Sequence, residues 1–99
     1  MRLPEPSRKL IRDVVQEIFG PDATVSLFGS RLDDSVRGGD IDLLVELQQP
    51  VVDREHKILL LIARLQLRLG DQPIDVLVLD PTTEHRPIHE QALLTGVQL

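Results

Sequence analysis

A chain of 99 residues sits at the lower end of single-domain size, so one domain spanning residues 1–99 around one modest core is expected and a second is excluded. Hydrophobic residues at 41% and charged residues at 27% match ordinary globular proteins, which argues against disorder. A net charge of -5, with Phe19 and Phe28 the only aromatic residues besides histidine, argues against direct nucleic-acid binding, because neither phosphate-pairing cations nor base-stacking platforms are in supply. Cysteine is absent, which removes disulfides, thiolate metal sites and cysteine nucleophiles. The first ten residues hold no apolar stretch of signal-peptide length, and the longest apolar run, 58–63, is too short to cross a bilayer, so a cytoplasmic location away from membranes is expected.

Over residues 6–19, Leu10, Ile11, Val14, Val15, Ile18 and Phe19 recur at the spacing of one helical face, and Gly20 and Pro21 stop the helix. Residues 24–28 are β-branched and apolar and end at Gly29, which predicts a strand leading into a turn, followed by a loop over 31–39. Residues 41–47 are almost continuously apolar apart from Asp42 and Glu46, as in a central strand. Asp53 is placed to cap a helix running to Leu69, closed by Gly70; Pro73 then introduces a strand over 74–79. Pro87 suits the first turn of a last helix that ends near Thr95 before Gly96.

The long helix carries two apolar stripes: Ile58, Ile62, Leu65 and Leu69 on one side, and Leu60, Ala63 and Leu67 on the other. One stripe suffices for a small core. The second is expected to dock a partner or another copy of the chain, the weaker alternative being burial on both sides.

The stretch from Leu27 to Glu46 carries the chemistry. Side chains two apart on a strand share a face, so Asp40 and Asp42 project together while Ile41 enters the core. Asp75 interrupts another apolar strand, and pairing the two strands would add a third carboxylate. Two such charges about 4 Å apart repel by ~4 kcal/mol at an effective dielectric of 20, and a cation relieves this. Oxygen-only ligands favour a hard ion, Mg²⁺ above all, held together with substrate phosphates. Two such ions would serve nucleotidyl transfer, with Asp75 positioned to take the proton of the attacking hydroxyl. Gly29 and Ser30 suit the triphosphate: a backbone that phosphate can approach, a hydroxyl and exposed amides, with the charge of Arg31 alongside. Gly38 and Gly39 would let the loop turn back, and Arg37 is as suited to solvent as to a phosphate oxygen. Neither GxxxxGK[ST] nor GxGxxG occurs.

A strand ending in Gly-Ser, a spacer of nine residues, Asp-apolar-Asp and a later apolar-Asp-apolar resembles the DNA polymerase beta-like nucleotidyltransferase superfamily, and within it the minimal nucleotidyltransferases (MNT). The resemblance covers nearly the whole chain. It implies an α/β (α+β) nucleotidyltransferase fold, with a small mixed sheet of about three to four strands flanked by helices. It further implies an antitoxin, paired with a helical HEPN ribonuclease toxin and transferring AMP from ATP to a tyrosine hydroxyl on that partner. Carried over by position, it makes Gly29 and Ser30 triphosphate-binding and Asp40, Asp42 and Asp75 metal-binding and catalytic. The departure is Gly39, where the family very often has Ser.

Plainer roles compete for single residues. Gly-Ser is a common turn and Asp40 could merely start a strand, but an inward acid in each of two apolar strands is costly unless bound. Asp33, Asp34 and Asp80 are expected to be solvated loop acids. His56, His85 and His89 are expected at the surface, since Pro87 breaks the spacing that would make His85 and His89 a helical metal pair. The functional alternatives are an antitoxin that inhibits by occlusion without catalysis, a homo-oligomer formed through Leu60 and Leu67, and transfer to a small molecule, for which the substrate domain of the aminoglycoside-modifying relatives is missing.

Overall fold

The computed structural model describes residues 3–29 and 40–99. Three helices, α1 (Glu5–Phe19), α2 (Arg54–Leu69) and α3 (Pro87–Thr95), surround the strands β1 (Thr24–Phe28), β2 (Ile41–Glu46), β3 (Ile74–Leu79) and β4 (Val97–Gln98). The sheet runs β3-β2-β1-β4, with β2 and β3 parallel and β1 antiparallel to both β2 and β4. It is the mixed sheet that the sequence led us to expect. A fourth strand lay within the expected three to four, but the position of the two-residue β4 was not anticipated, because so short a run has no periodicity to read; it is held by pairing with Ser26 and Leu27 and by the Leu99 amide donating to the Val25 carbonyl at 2.9 Å.

Strand alternation divides the sheet into two faces. Val25, Leu27, Ile41, Leu43, Val45, Ile74 and Val78 point to one, where Ile11, Val14 and Val15 of α1 and Leu61 and Leu65 of α2 complete the main core. The opposite face carries a smaller cluster: Leu44, Leu79 and Ala92 of α3, with Phe28 and Leu77 packed at its margin. Asp42 and Asp75 belong to this second face by the same alternation.

The stripe of α2 through Ile58, Ile62, Leu65 and Leu69 packs on the core as expected, joined by Leu61. Its far side is corrected in one position. Leu59 and Leu67 are 67% and 86% exposed and Ala63 is exposed between them, whereas Leu60 is half-buried. Asp53 precedes α2 but caps it with no side-chain hydrogen bond; its backbone is left-handed, at φ 54° and ψ 49°, and only its carbonyl serves the helix, accepting from the Lys57 amide at 3.0 Å.

Asp80 overturns its expected role as a solvated loop acid. Its side chain is 1% exposed and closes the end of β3: Oδ2 accepts from the Val51 amide at 2.8 Å and pairs with Arg54 at 3.1 Å, while Oδ1 accepts from the Thr82 hydroxyl at 2.6 Å, the Thr82 amide at 2.8 Å and the Thr83 hydroxyl at 3.1 Å. The Thr82 hydroxyl above all, then the Val51 amide, hold its carboxyl well below the usual range against the opposing cost of burial. Arg54 also donates to the Val78 carbonyl at 2.9 Å and to the Thr83 hydroxyl at 2.8 Å, tying the start of α2 to the end of β3. Sequence spacing hid this, since the partners lie far apart along the chain.

Candidate active site

The parallel register of β2 and β3 sets Asp42 directly beside Asp75, each the second residue of its strand, and the antiparallel register sets Phe28 on the other side of Asp42. Asp42 is half-buried; Asp75 and Asp40 are exposed. The Asp42 carboxyl is raised above its ordinary value, first by burial, then by the charges of Asp75 and Asp40, and lastly by a side-chain hydrogen bond with Asp75. Asp42 and Asp75 are thus register partners on one face, close enough for the charge of Asp75 to weigh on Asp42 more than that of Asp40, which lies one residue before β2. Among the described residues, no three His, Cys, Asp or Glu side chains are drawn together tightly enough to form a metal site by themselves.

Gly29 follows β1 with φ at +80°, a conformation that L side chains rarely adopt, and a Cβ there would run into Oδ2 of Asp42. The turn after β1 is thus pressed against the Asp42 carboxylate, and glycine satisfies both demands. The expected binding residues Ser30 and Arg31 lie outside the described residues, as do Asp33, Asp34, Arg37, Gly38 and Gly39.

The donors that are in place are carboxylate oxygens whose mutual repulsion a divalent cation would relieve, and they stand on a sheet face that α3 covers only further along. This donor set fits Mg²⁺ completed by water and phosphate oxygens.

Sequence reasoning missed His89. It is 9% exposed rather than a surface histidine, and its Nδ1 accepts from the Arg86 amide at 2.9 Å, closing the first turn of α3. Its place three residues after the N-cap Arg86 was the available signal. His85 is exposed as expected and pairs with Glu90 at 2.9 Å; His56 is also exposed.

A family model described as a nucleotidyltransferase domain matches residues 8–93. No curated protein matches the chain. Among solved structures, a chain of the complex between tri-AMPylated HEPN toxin and MNT antitoxin from Shewanella oneidensis is similar over 95% of this chain and 69% of its own, with a TM-score of 0.65 and 20% identity. A second crystal structure from Shewanella oneidensis is similar over 98% of this chain and 71% of its own, with a TM-score of 0.62 and 17% identity. At such identities the likeness shows a shared fold. Domains of the matched family generally use a nucleoside triphosphate and a divalent metal. With the model spanning most of the chain and both paired acids inside it, this chain belongs to the nucleotidyltransferase domain family.

Proposed function

We propose that the protein transfers AMP from ATP to a hydroxyl of a partner protein, and that the partner is a HEPN ribonuclease toxin which this modification silences. The observation that carries the reading is the in-register pairing of Asp42 with Asp75 on one sheet face, with Gly29 against Asp42. A similar structure, that of the Shewanella oneidensis pair, contains a tri-AMPylated HEPN toxin with its MNT antitoxin.

Asp40, Asp42 and Asp75 would hold Mg²⁺, two ions in the full arrangement, which would neutralise the triphosphate and lower the pKa of the acceptor hydroxyl. Gly29, with Ser30 and Arg31, holds the triphosphate end. Asp75, the more exposed of the paired acids, takes the proton as the acceptor oxygen bonds to the α-phosphorus and the bond to the β-phosphate oxygen breaks, releasing pyrophosphate. Its placement beside Asp42 orients it without burying it. The exposed Leu59, Ala63 and Leu67 of α2 form a surface for the helical partner.

The reading is tested by incubating the protein with labelled ATP, Mg²⁺ and a candidate HEPN toxin partner. Label is expected on the toxin, and its absence under conditions that bind ATP rejects the reading. Inhibition by occlusion is favoured by one observation, the exposed apolar face of α2. Asp40→Asn with Asp42→Asn separates the two: neutralisation disappears if transfer is the mechanism and persists if occlusion is.

A further inference from the structure

A cleft of about 440 Å³ opens against β3, with Leu77 in its wall. Leu77 is two residues beyond Asp75 on the same strand and face, a separation of about 7 Å. The cleft therefore lies on the β3 side of the aspartates, while Gly29 lies on their β1 side. If the triphosphate sits at Gly29 and Asp42, as the proposed function has it, the cleft falls on the acceptor side.

Its chemistry is specific. Leu77, half-buried, and Ile88, 50% exposed, offer an apolar wall. His89 lines the cleft while nine-tenths buried. The Arg86 amide can only donate, so Nδ1 is the acceptor, and the neutral ring carries its proton on Nε2. No hydrogen bond among the described residues engages that Nε2. The two arginines of the cleft differ: Arg54 is committed to Asp80, Thr83 and the Val78 carbonyl, whereas Arg86 is exposed and makes no ion pair among the described residues. Glu84, also exposed, supplies a carboxylate at the rim.

A planar ring fits the apolar wall, an aromatic nitrogen accepts from a fixed N–H, an exocyclic amine donates to a carboxylate, and a phosphate pairs with a guanidinium. We propose that the cleft is a subsite for an adenine nucleoside monophosphate unit, either free or esterified to the acceptor. The ring rests on Leu77 and Ile88, the His89 Nε2–H and Glu84 read its edge, and Arg86 holds the phosphate. The inference rests on the proposed function only for the name of the side on which the cleft lies; binding itself requires neither metal nor turnover.

The test is a titration of the full chain, isotope-labelled for NMR, with AMP in the presence of EDTA. Saturable shifts of the Leu77 and Ile88 methyls and of the His89 ring are expected, with the same midpoint in Asp42→Asn. Arg86→Gln, at an exposed position, should weaken AMP about tenfold, the value of one charge-assisted hydrogen bond, and adenosine much less. Ile88→Ser should weaken both ligands. An adenylylated tyrosine peptide binding more tightly than AMP assigns the esterified unit, and binding of AMP alone assigns the free nucleotide. No saturable shift at Leu77, Ile88 and His89, or shifts confined to Gly29 and Asp42, overturns the proposal, even if labelled ATP still modifies the toxin. Binding here without such modification would leave the subsite standing and remove the transfer reaction.

Discussion

At Gly29 two constraints coincide, and Gly29→Ala tests them together. The left-handed backbone alone costs an L residue about 1–2 kcal/mol, and the added methyl must also displace the Asp42 carboxylate. A loss of at least that size in urea denaturation is expected, with weakened Mn²⁺ binding by calorimetry. Asp42 bears on stability with the opposite sign. Because its carboxyl is raised from 3.8 in the fold, its contribution is fully present below that value and is lost as pH rises through the folded pKa, where the charge beside Asp75 and Asp40 must be accommodated. Asp42→Asn should therefore raise the melting temperature of the metal-free protein at pH 7 while abolishing transfer, and Mg²⁺ should stabilise the wild type but not the variant. The pairing of Asp42 with Asp75 was legible in the sequence because acids inside apolar strands are costly and conspicuous. Asp80 and His89 were not, since an acid or histidine near a turn looks the same whether its hydrogen bonds go to water or to the Val51 and Arg86 amides.

The parallel pairing of β2 and β3 requires a crossover, and α2 supplies it while burying Leu61 and Leu65 completely. Leu65→Ala should cost about 2–5 kcal/mol in the same denaturation measurement. The bounds of β1, β3 and α3 followed directly from the sequence, because glycine or proline flanks each of them. The cap of α2 did not: Asp53 has the right residue type but a left-handed backbone, so its side chain makes no cap hydrogen bond. The connection from β3 to α3 depends on Asp80. Its lowered carboxyl contributes stability that is present above 3.8 and lost as pH falls through the folded value. Asp80→Asn should melt at a lower temperature at pH 7 and should flatten the acid limb of the stability profile below pH 4, read by circular dichroism.

On the scale of the whole molecule, α1 and α2 seal one face of the sheet and, among the described residues, α3 covers part of the other, where Asp40 and Asp75 are exposed and a second protein could present a hydroxyl. The apolar surface of α2 lies on the sealed side. Leu59→Asp with Leu67→Asp should change the stability of the isolated chain by no more than about 0.5 kcal/mol per site, as for other exposed positions, yet weaken binding of the proposed helical partner at least tenfold by calorimetry. That a helix would present leucines to solvent was legible from its double stripe; which leucines was not, because Leu59 and Leu60 differ by only 100° around the axis and tertiary packing decides between them.

The hydrogen bond from Arg54 to the Val78 carbonyl has a consequence for how the molecule behaves in a crowd. The Ile41 and Leu47 amides donate to the Pro73 and Leu79 carbonyls, so the carbonyls of odd-numbered β3 residues turn inward to β2 and that of Val78 turns outward, along a rim that no strand among the described residues pairs. A foreign strand laid along that rim would have to dislodge a guanidinium that is also anchored to Asp80. One side chain thereby obstructs the addition of a strand along this edge.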